Sequence, residues 1–185
     1  SVPPKRDATL GSRFAAIAHT LKGLHRPVLK GTETMPQSLA RIHVHIVFST
    51  KNRGRLLSDR KARNETHAYM ASILQSYDSP PVLIGGADDH AHILCALSKN
   101  HALAKVIGET KRCSSKWIKT RGREYSLFQW QNGYGAFSVS ESMVARVRDY
   151  IANQEGHHLK MSFQDEFRGL LRRDGIEFDE RYVWD

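Results

Sequence analysis

The sequence has few cysteines, no long apolar run and a shortage of acidic residues, and each shortage excludes a class of protein. Only two of the 185 residues are cysteines, Cys95 and Cys113. Their number and spacing do not suit a disulfide framework or a zinc knuckle. No stretch approaches the roughly 20 apolar residues that cross a bilayer, and no secretory signal pattern is visible. We therefore expect a protein of the reducing cytoplasm with no membrane-embedded part.

The charge balance favours a polyanionic partner. Lysine and arginine number 28 against 19 acidic residues, which gives a formal net charge of +9. Clustered basic side chains gain affinity for a phosphate backbone by releasing its counterions, so nucleic acid is the expected partner. An acidic membrane surface is a weaker alternative.

The first 34 residues differ from the rest of the chain. Residues 1–34 contain six basic and two acidic residues, with apolar side chains at helical spacing ahead of Pro27. A basic amphipathic segment of this kind binds DNA, lies on a membrane surface, docks on its own domain or frays at the terminus. We interpret it as a basic N-terminal extension that docks or frays, and residues 35–185 as one domain.

The domain alternates between strand-like and helix-like patterns. Strands are predicted around Ile42–Phe48 and at 81–86, 90–97 and 134–139, and helices at 56–77, 101–120 and 140–156. This order predicts an α+β fold, a ferredoxin-like βαββαβ sandwich of the kind seen in RNA-recognition motifs, with an added C-terminal helix. We expect the helices on one face of the sheet and the functional site on the other, open face.

Two His-x-His pairs lie in predicted strands, in RIHVHIVFST (41–50) and DDHAHILCAL (88–97). Residues i and i+2 of a strand point to the same face, so either pair presents two imidazoles to one metal ion. Both pairs are also compatible with polar histidines that merely face solvent. Periodicity does not choose between them.

The last predicted helix carries Tyr150 and Gln154, four residues apart and hence on one helical face. A tyrosine hydroxyl is a poor nucleophile unaided, but it can attack a phosphodiester when a metal polarises the phosphate. No candidate general base neighbours Tyr150 in the sequence. We expect metal activation to contribute more than base catalysis.

These motifs together resemble the single-tyrosine HUH transposases, where HUH means histidine, hydrophobe, histidine. The resemblance rests on DDHAHIL, on the later Tyr-x-x-x-Gln, on HIVFSTKNR upstream and on FQWQNGYGAFSVSES between them. The family includes bacterial insertion-sequence transposases and REP-associated tyrosine transposases. The resemblance implies that His90 and His92 bind a metal, that Tyr150 is the nucleophile and that Gln154 is the third ligand.

The implied reaction is single-stranded DNA cleavage and rejoining through a 5′-phosphotyrosine, in a bacterial cytoplasm. Two imidazoles and an amide oxygen, acting on a phosphate, favour Mg²⁺ or Mn²⁺. If the first and third strands are neighbours, His45 contacts phosphate or orients a ligand, or is simply a polar residue of the sheet face. Relatives include monomers and dimers that exchange the tyrosine helix, so a homodimer is left open.

Basic residues with interleaved aromatics predict how single-stranded DNA, and the hairpin ends that such enzymes bind, are held. Tyr125 and Trp130 are expected to stack on bases, whereas Trp117 is expected in the core. The acidic residues of the C-terminal segment are expected at the surface. The predicted DNA-binding residues are Lys51, Arg53, Arg55, Lys111, Arg112, Lys116, Lys119, Arg121 and Arg123.

Two alternative functions are kept. NGYGAFSV (132–139) resembles the aromatic strand motif of RNA-recognition motifs, which suggests a single-stranded nucleic-acid-binding module, although Asn132 and Ala136 depart from that motif. The other alternative is a domesticated nickase that acts on host repeats and no longer moves itself.

Overall fold

The computed structural model describes residues 39–157, 161–181 and 183–184. The N-terminal extension predicted for residues 1–34 lies outside this part of the chain. In order, the described elements are β1 (Ile42–Ser49), α1 (Arg60–Ser76), β2 (Pro81–Gly86), β3 (His90–Leu97), α2 (Leu103–Ile118), β4 (Gly135–Val139), α3 (Val144–Ala152), α4 (Gln154–His157) and α5 (Phe163–Arg173).

The four strands form one antiparallel sheet in the order β2-β3-β1-β4. With α1 between β1 and β2, and α2 between β3 and β4, this is the βαββαβ arrangement that the sequence predicts. In the central pair, His45 lies opposite Leu94 and Val47 lies opposite His92. The register therefore brings the first His-x-His pair alongside the second.

One sheet face packs against α1 and α2. Alternate residues of the central strands, Val44 and Ile46 of β1 and Ile93 of β3, join Met70 of α1 and Ile107 of α2 in a buried core. A strand turns alternate side chains to opposite faces, so His45, His90 and His92 face away from this core.

The opposite face is covered, which corrects the expectation of an open sheet. Helix α5 brings Phe163, Phe167 and Leu170 against Val47 and Phe137 of the sheet, forming a second buried cluster. Its apolar residues recur at helical spacing and so give the helix one continuous apolar face. The histidines on this face are enclosed between the sheet and helices.

The predicted helix at 140–156 is divided in the structure. A single 3-10 turn spans Glu141–Met143, α3 ends at Ala152, and Asn153 has non-helical backbone angles ahead of α4. Helix α1 begins at Arg60, later than the predicted residue 56, because the side chain of Asp59 accepts hydrogen bonds from two backbone N–H groups and caps the helix there. These differences shift helix boundaries and leave the element order unchanged.

Helix α3 crosses closely over β2 at Gly85. A Cβ at this position would lie 2.7 Å from Ile151 Cγ2 and 2.8 Å from the Ile151 carbonyl oxygen. Glycine therefore permits an approach that any other residue would obstruct. No helix in the described part of the chain is long and apolar enough to cross a membrane.

Candidate active site

His90 and His92 lie on β3 beneath α5, and both side chains are fully buried. The Nδ1 of His90 is 2.7 Å from Asp89 Oδ1, and the Nδ1 of His92 is 2.9 Å from His45 Nε2. Hydrogen bonds to one ring nitrogen fix the ring and direct the other nitrogen toward a ligand. The two rings are therefore held to offer Nε2 to a metal.

Tyr150 and Gln154 reach the same point from α3 and α4. The Tyr150 hydroxyl donates to Oε1 of Glu166, and Gln154 Nε2 donates to the same oxygen at 2.7 Å. The Tyr150 ring is edge-on to His92, with 5.9 Å between ring centroids. Despite the break at Asn153, the structure brings these predicted residues together within one chain.

Glu166 is the group on which the site converges. This residue of α5 is 5% exposed, and its Oε1 lies 3.6 Å from His92 Nε2. One ligand atom each from His90, His92 and Glu166 lie within 4.8 Å of one another. Two imidazoles and a carboxylate in this proximity fit a divalent cation. The expectation that the acidic residues of the C-terminal segment lie at the surface is wrong for Glu166.

Burial changes the protonation of two groups in this region. Desolvation, and then the charge of Glu166, raise the pKa of the Tyr150 phenol above its ordinary value. Desolvation, followed by the positive charge of Arg173, lowers the pKa of His45 to about 4. Near neutral pH, Tyr150 therefore keeps its proton, and His45 is a neutral imidazole that can share a hydrogen bond with His92.

A cleft of about 680 Å³ opens beside Tyr150, between α5 and the β4 side of the sheet. It is lined by His45, Tyr150 and Glu166 at its inner end and by the basic residues Arg146 and Arg173 among others. The site is thus covered by α5 and reached laterally through a cleft that carries both basic and acidic side chains, Asp165 and Asp174 among the latter.

The predicted basic residues divide into two groups. Lys51, Arg53 and Arg55 follow β1 in a turn whose neighbour Thr50 donates from its backbone to the Asp89 carbonyl at 2.8 Å. Arg55 also forms an ion pair with Asp88 at 3.1 Å. This basic turn therefore lies beside the segment that carries His90.

The second basic group is on α2 and the residues that follow it, and the structure does not bring it to the histidines. Helix α2 packs on the other face of the sheet, so these side chains lie on the far side from Tyr150. Arg121 forms an ion pair with Glu65 at 2.7 Å, and burial lowers the pKa of Lys111 to about 8. The group comprises Lys111, Arg112, Lys116, Lys119, Arg121 and Arg123.

The aromatic residues predicted to stack on bases are in the core instead. Tyr125 is 6% exposed and Trp130 is 7% exposed, and both belong to the cluster under α1 and α2. The Trp130 indole donates to Ser114 Oγ at 3.0 Å. That prediction is wrong, whereas Trp117 packs against the same core as expected, stacked on Tyr69.

The architecture argues against the binding-module alternative. An RNA-recognition motif stacks bases on the sheet face opposite its helices. Here α5 covers that face, and Phe137, the aromatic residue of β4, is 1% exposed beneath Phe167. No open aromatic platform exists on this face in the described residues.

Sequence reasoning missed Glu166, Asp89 and Arg173 as contributors to the site. Glu166 had a detectable signal, since the spacing of Phe163, Phe167 and Leu170 puts it on the apolar stripe of α5, where a carboxylate is unusual. Asp89 directly precedes the ligand pair. Nothing in the sequence distinguishes Arg173 from the other surface arginines.

Comparisons with known proteins show the family of this chain and a similar fold in two solved structures. A family model described as "Transposase IS200 like" matches residues 38–154. The fold is similar to that of a candidate transposase from Deinococcus radiodurans R1, at 20% identity and a TM-score of 0.51, over 66% of this chain and 98% of that one. It is also similar to a REP-associated tyrosine transposase bound to a REP hairpin, at 12% identity and a TM-score of 0.51, over 83% and 97% of the two chains. No curated protein matches the sequence.

Proposed function

The chain belongs to the IS200-like transposase family, and from this premise we propose that it cleaves and rejoins single-stranded DNA through a covalent 5′-phosphotyrosine at Tyr150. The observation that carries the proposal is the convergence of Tyr150 with the buried pair His90 and His92 at Glu166, within one chain. A nucleophile beside a cluster of metal-ligating groups is what phosphoryl transfer by a tyrosine requires.

A divalent metal, Mg²⁺ or Mn²⁺, belongs to this proposal. The donor set fits it, since His90 and His92 supply imidazole nitrogens and the Gln154 amide lies one hydrogen bond from Glu166. When bound there, such an ion polarises the scissile phosphate and stabilises the charge that develops in the transition state. His90 and His92 are oriented for this role by Asp89 and His45.

Cleavage then follows from the position of Tyr150. Its oxygen attacks the phosphorus and loses its proton, the bond to the 3′ oxygen breaks, and that oxygen takes up a proton as a free 3′ hydroxyl. The phosphotyrosine conserves the energy of the broken bond, so a 3′ hydroxyl can later attack it and rejoin DNA without ATP. Because burial raises the pKa of Tyr150, the phenol keeps its proton near neutral pH before the attack.

DNA is held by two separate basic surfaces in this proposal. The cleaved strand enters the cleft beside Arg146 and Arg173 and passes the turn carrying Lys51, Arg53 and Arg55. The basic residues of α2, on the far side of the sheet, contact another part of the DNA, such as the paired arm of a hairpin end. In this proposal one chain supplies every group of the site. A domesticated nickase would use the same site.

The test is incubation of a labelled single-stranded hairpin DNA with the protein and Mn²⁺, followed by denaturing electrophoresis. We expect a covalent adduct with the wild type and none with Tyr150→Phe, which removes one oxygen and little packing. Tyr134→Phe is the matched control, because Tyr134 is exposed and outside the site, and it should form the adduct normally. Peptide mapping that recovered the DNA on any residue other than Tyr150 would refute the proposal.

A further inference from the structure

Glu166 contacts Tyr150, Gln154 and His92, but the proposed function gives it no role of its own. We propose that Glu166 is itself a metal ligand, adding one negative charge to the neutral set of His90, His92 and Gln154. The inference rests on the metal of the proposed function and assigns it a ligand from α5. This helix lies outside residues 38–154, the part of the chain that the family model matches.

The first support is geometric. Glu166 offers a carboxylate oxygen within 4.8 Å of a nitrogen of each histidine, and its Oε1 is already 3.6 Å from His92 Nε2. A cation between three such atoms brings each of them closer, with small side-chain movements. Gln154 is compatible with this arrangement, because its amide nitrogen donates to Glu166 at 2.7 Å while its oxygen can face the same ion.

The second support is the free-energy cost of burying the Glu166 carboxylate. Glu166 is 5% exposed on a helix face that it shares with Phe163 and Phe167. Burying a carboxylate is expensive unless its charge is compensated, and the hydrogen bonds from Tyr150 and Gln154 bring no positive charge. A divalent cation bound by two neutral imidazoles supplies that compensation.

The surrounding structure holds the carboxylate in place. Ser162 caps the start of α5, accepting a hydrogen bond from the backbone N–H of Asp165, and the apolar face of the helix packs on Val47 and Phe137. The His90 ring stacks on Phe163 at 4.5 Å between centroids. The ligand is thus fixed by the same packing that encloses the histidines.

This assignment has a consequence for the choice of ion. Mg²⁺ binds oxygen ligands and keeps most of its waters, whereas imidazole nitrogens are better suited to Mn²⁺ and later transition metals. A buried site with two imidazoles and one carboxylate therefore favours Mn²⁺ over Mg²⁺. It also links the ion to α5, so ion binding should stabilise that helix.

The test measures Mn²⁺ binding to the full-length protein without DNA, by titration calorimetry and by the rise in melting temperature. Glu166→Gln keeps the size and the hydrogen-bond acceptor of the side chain and removes its charge. We expect Mn²⁺ affinity to fall on the order of tenfold or more and the melting-temperature rise at a fixed Mn²⁺ concentration to become smaller. The matched control is Glu177→Gln, an exposed position, which should bind Mn²⁺ as the wild type does.

Unchanged Mn²⁺ affinity in Glu166→Gln would overturn the inference, as would tighter binding, which would show that the carboxylate blocks the ion. An assay of covalent adduct formation by the wild type distinguishes failure of this inference from failure of the proposed function. An adduct together with unchanged affinity in the variant rejects only the role of Glu166. Weakened affinity in the variant with no wild-type adduct rejects only the proposed function.

Discussion

Gly85 determines how closely α3, the helix that carries Tyr150, approaches the strands that carry the histidines. It lies opposite His92 in the β2–β3 pairing, and Ile151, the residue after Tyr150, packs directly over it. The substitution Gly85→Ala places a methyl group between β2 and α3. The structure therefore predicts a loss of activity from a change that touches no reacting group.

The size of the effect follows from the contact distances. The added Cβ would lie 2.8 Å from the Ile151 carbonyl oxygen, and ordinary contact begins at 3.4 Å. This oxygen belongs to the helix backbone and cannot rotate away, so α3 must retreat by about 0.6 Å. Overpacking of this kind costs about 1–3 kcal/mol of stability. Since a 1 Å misplacement can cost about 10²-fold in rate, we expect adduct formation to slow on the order of tenfold.

The assay is the single-turnover rate of covalent adduct formation with saturating hairpin DNA and Mn²⁺, with DNA affinity and the melting temperature measured alongside. Gly108→Ala is the matched control, because a Cβ at Gly108 in α2 meets nothing within 4 Å. We expect this control to react at the wild-type rate. A wild-type rate in Gly85→Ala, at an unchanged melting temperature, would refute the reasoning.

Three further predictions concern the histidines, the basic helix and pH. Replacing both His90 and His92 with Ala should abolish Mn²⁺-dependent nicking and also lower the melting temperature, because both rings are fully buried; persistent nicking would contradict their role. Charge reversal at the exposed residues Lys116 and Lys119 should reduce the slope of log affinity for hairpin DNA against log salt by about 0.9 for each lost contact with the paired arm. It should leave cleavage of unpaired DNA unchanged, because α2 lies across the sheet from Tyr150; an unaltered slope would show that the helix does not bind DNA. Burial, and then the charge of Arg63, lower the pKa of His67 to about 4. The unfolded chain takes up this proton near pH 6.5 and the folded protein only near pH 4, so stability should fall by about 2 kcal/mol between about pH 7.5 and about pH 5 through this residue. Urea unfolding of His67→Gln should show a shallower pH dependence than the wild type, and an identical one would contradict the assignment.

The local pattern of the sequence was sufficient for the element order and for the direction of the key side chains. Alternation in β3 predicts that His90 and His92 share a face, because the pleat of a strand depends only on the residues within it. The four-residue spacing of Tyr150 and Gln154 likewise predicts that they reach one point. The second prediction survives the break at Asn153, since the backbone resumes a helical path at Gln154.

Only the tertiary structure decided what covers each face. The apolar stripe of α5 shows that the helix packs on something, but periodicity does not identify the partner, and so Glu166 was expected at the surface although it lies against His92. Tyr125 and Trp130 were expected on the DNA for the same reason, since their chemistry suits a base stack and a core equally well. The spacing of apolar residues along the chain determines which side of a helix or strand is apolar, because the backbone repeat of each element is local. The choice of neighbour depends on contacts between residues far apart in sequence, and in this protein that choice placed a carboxylate at the centre of the site.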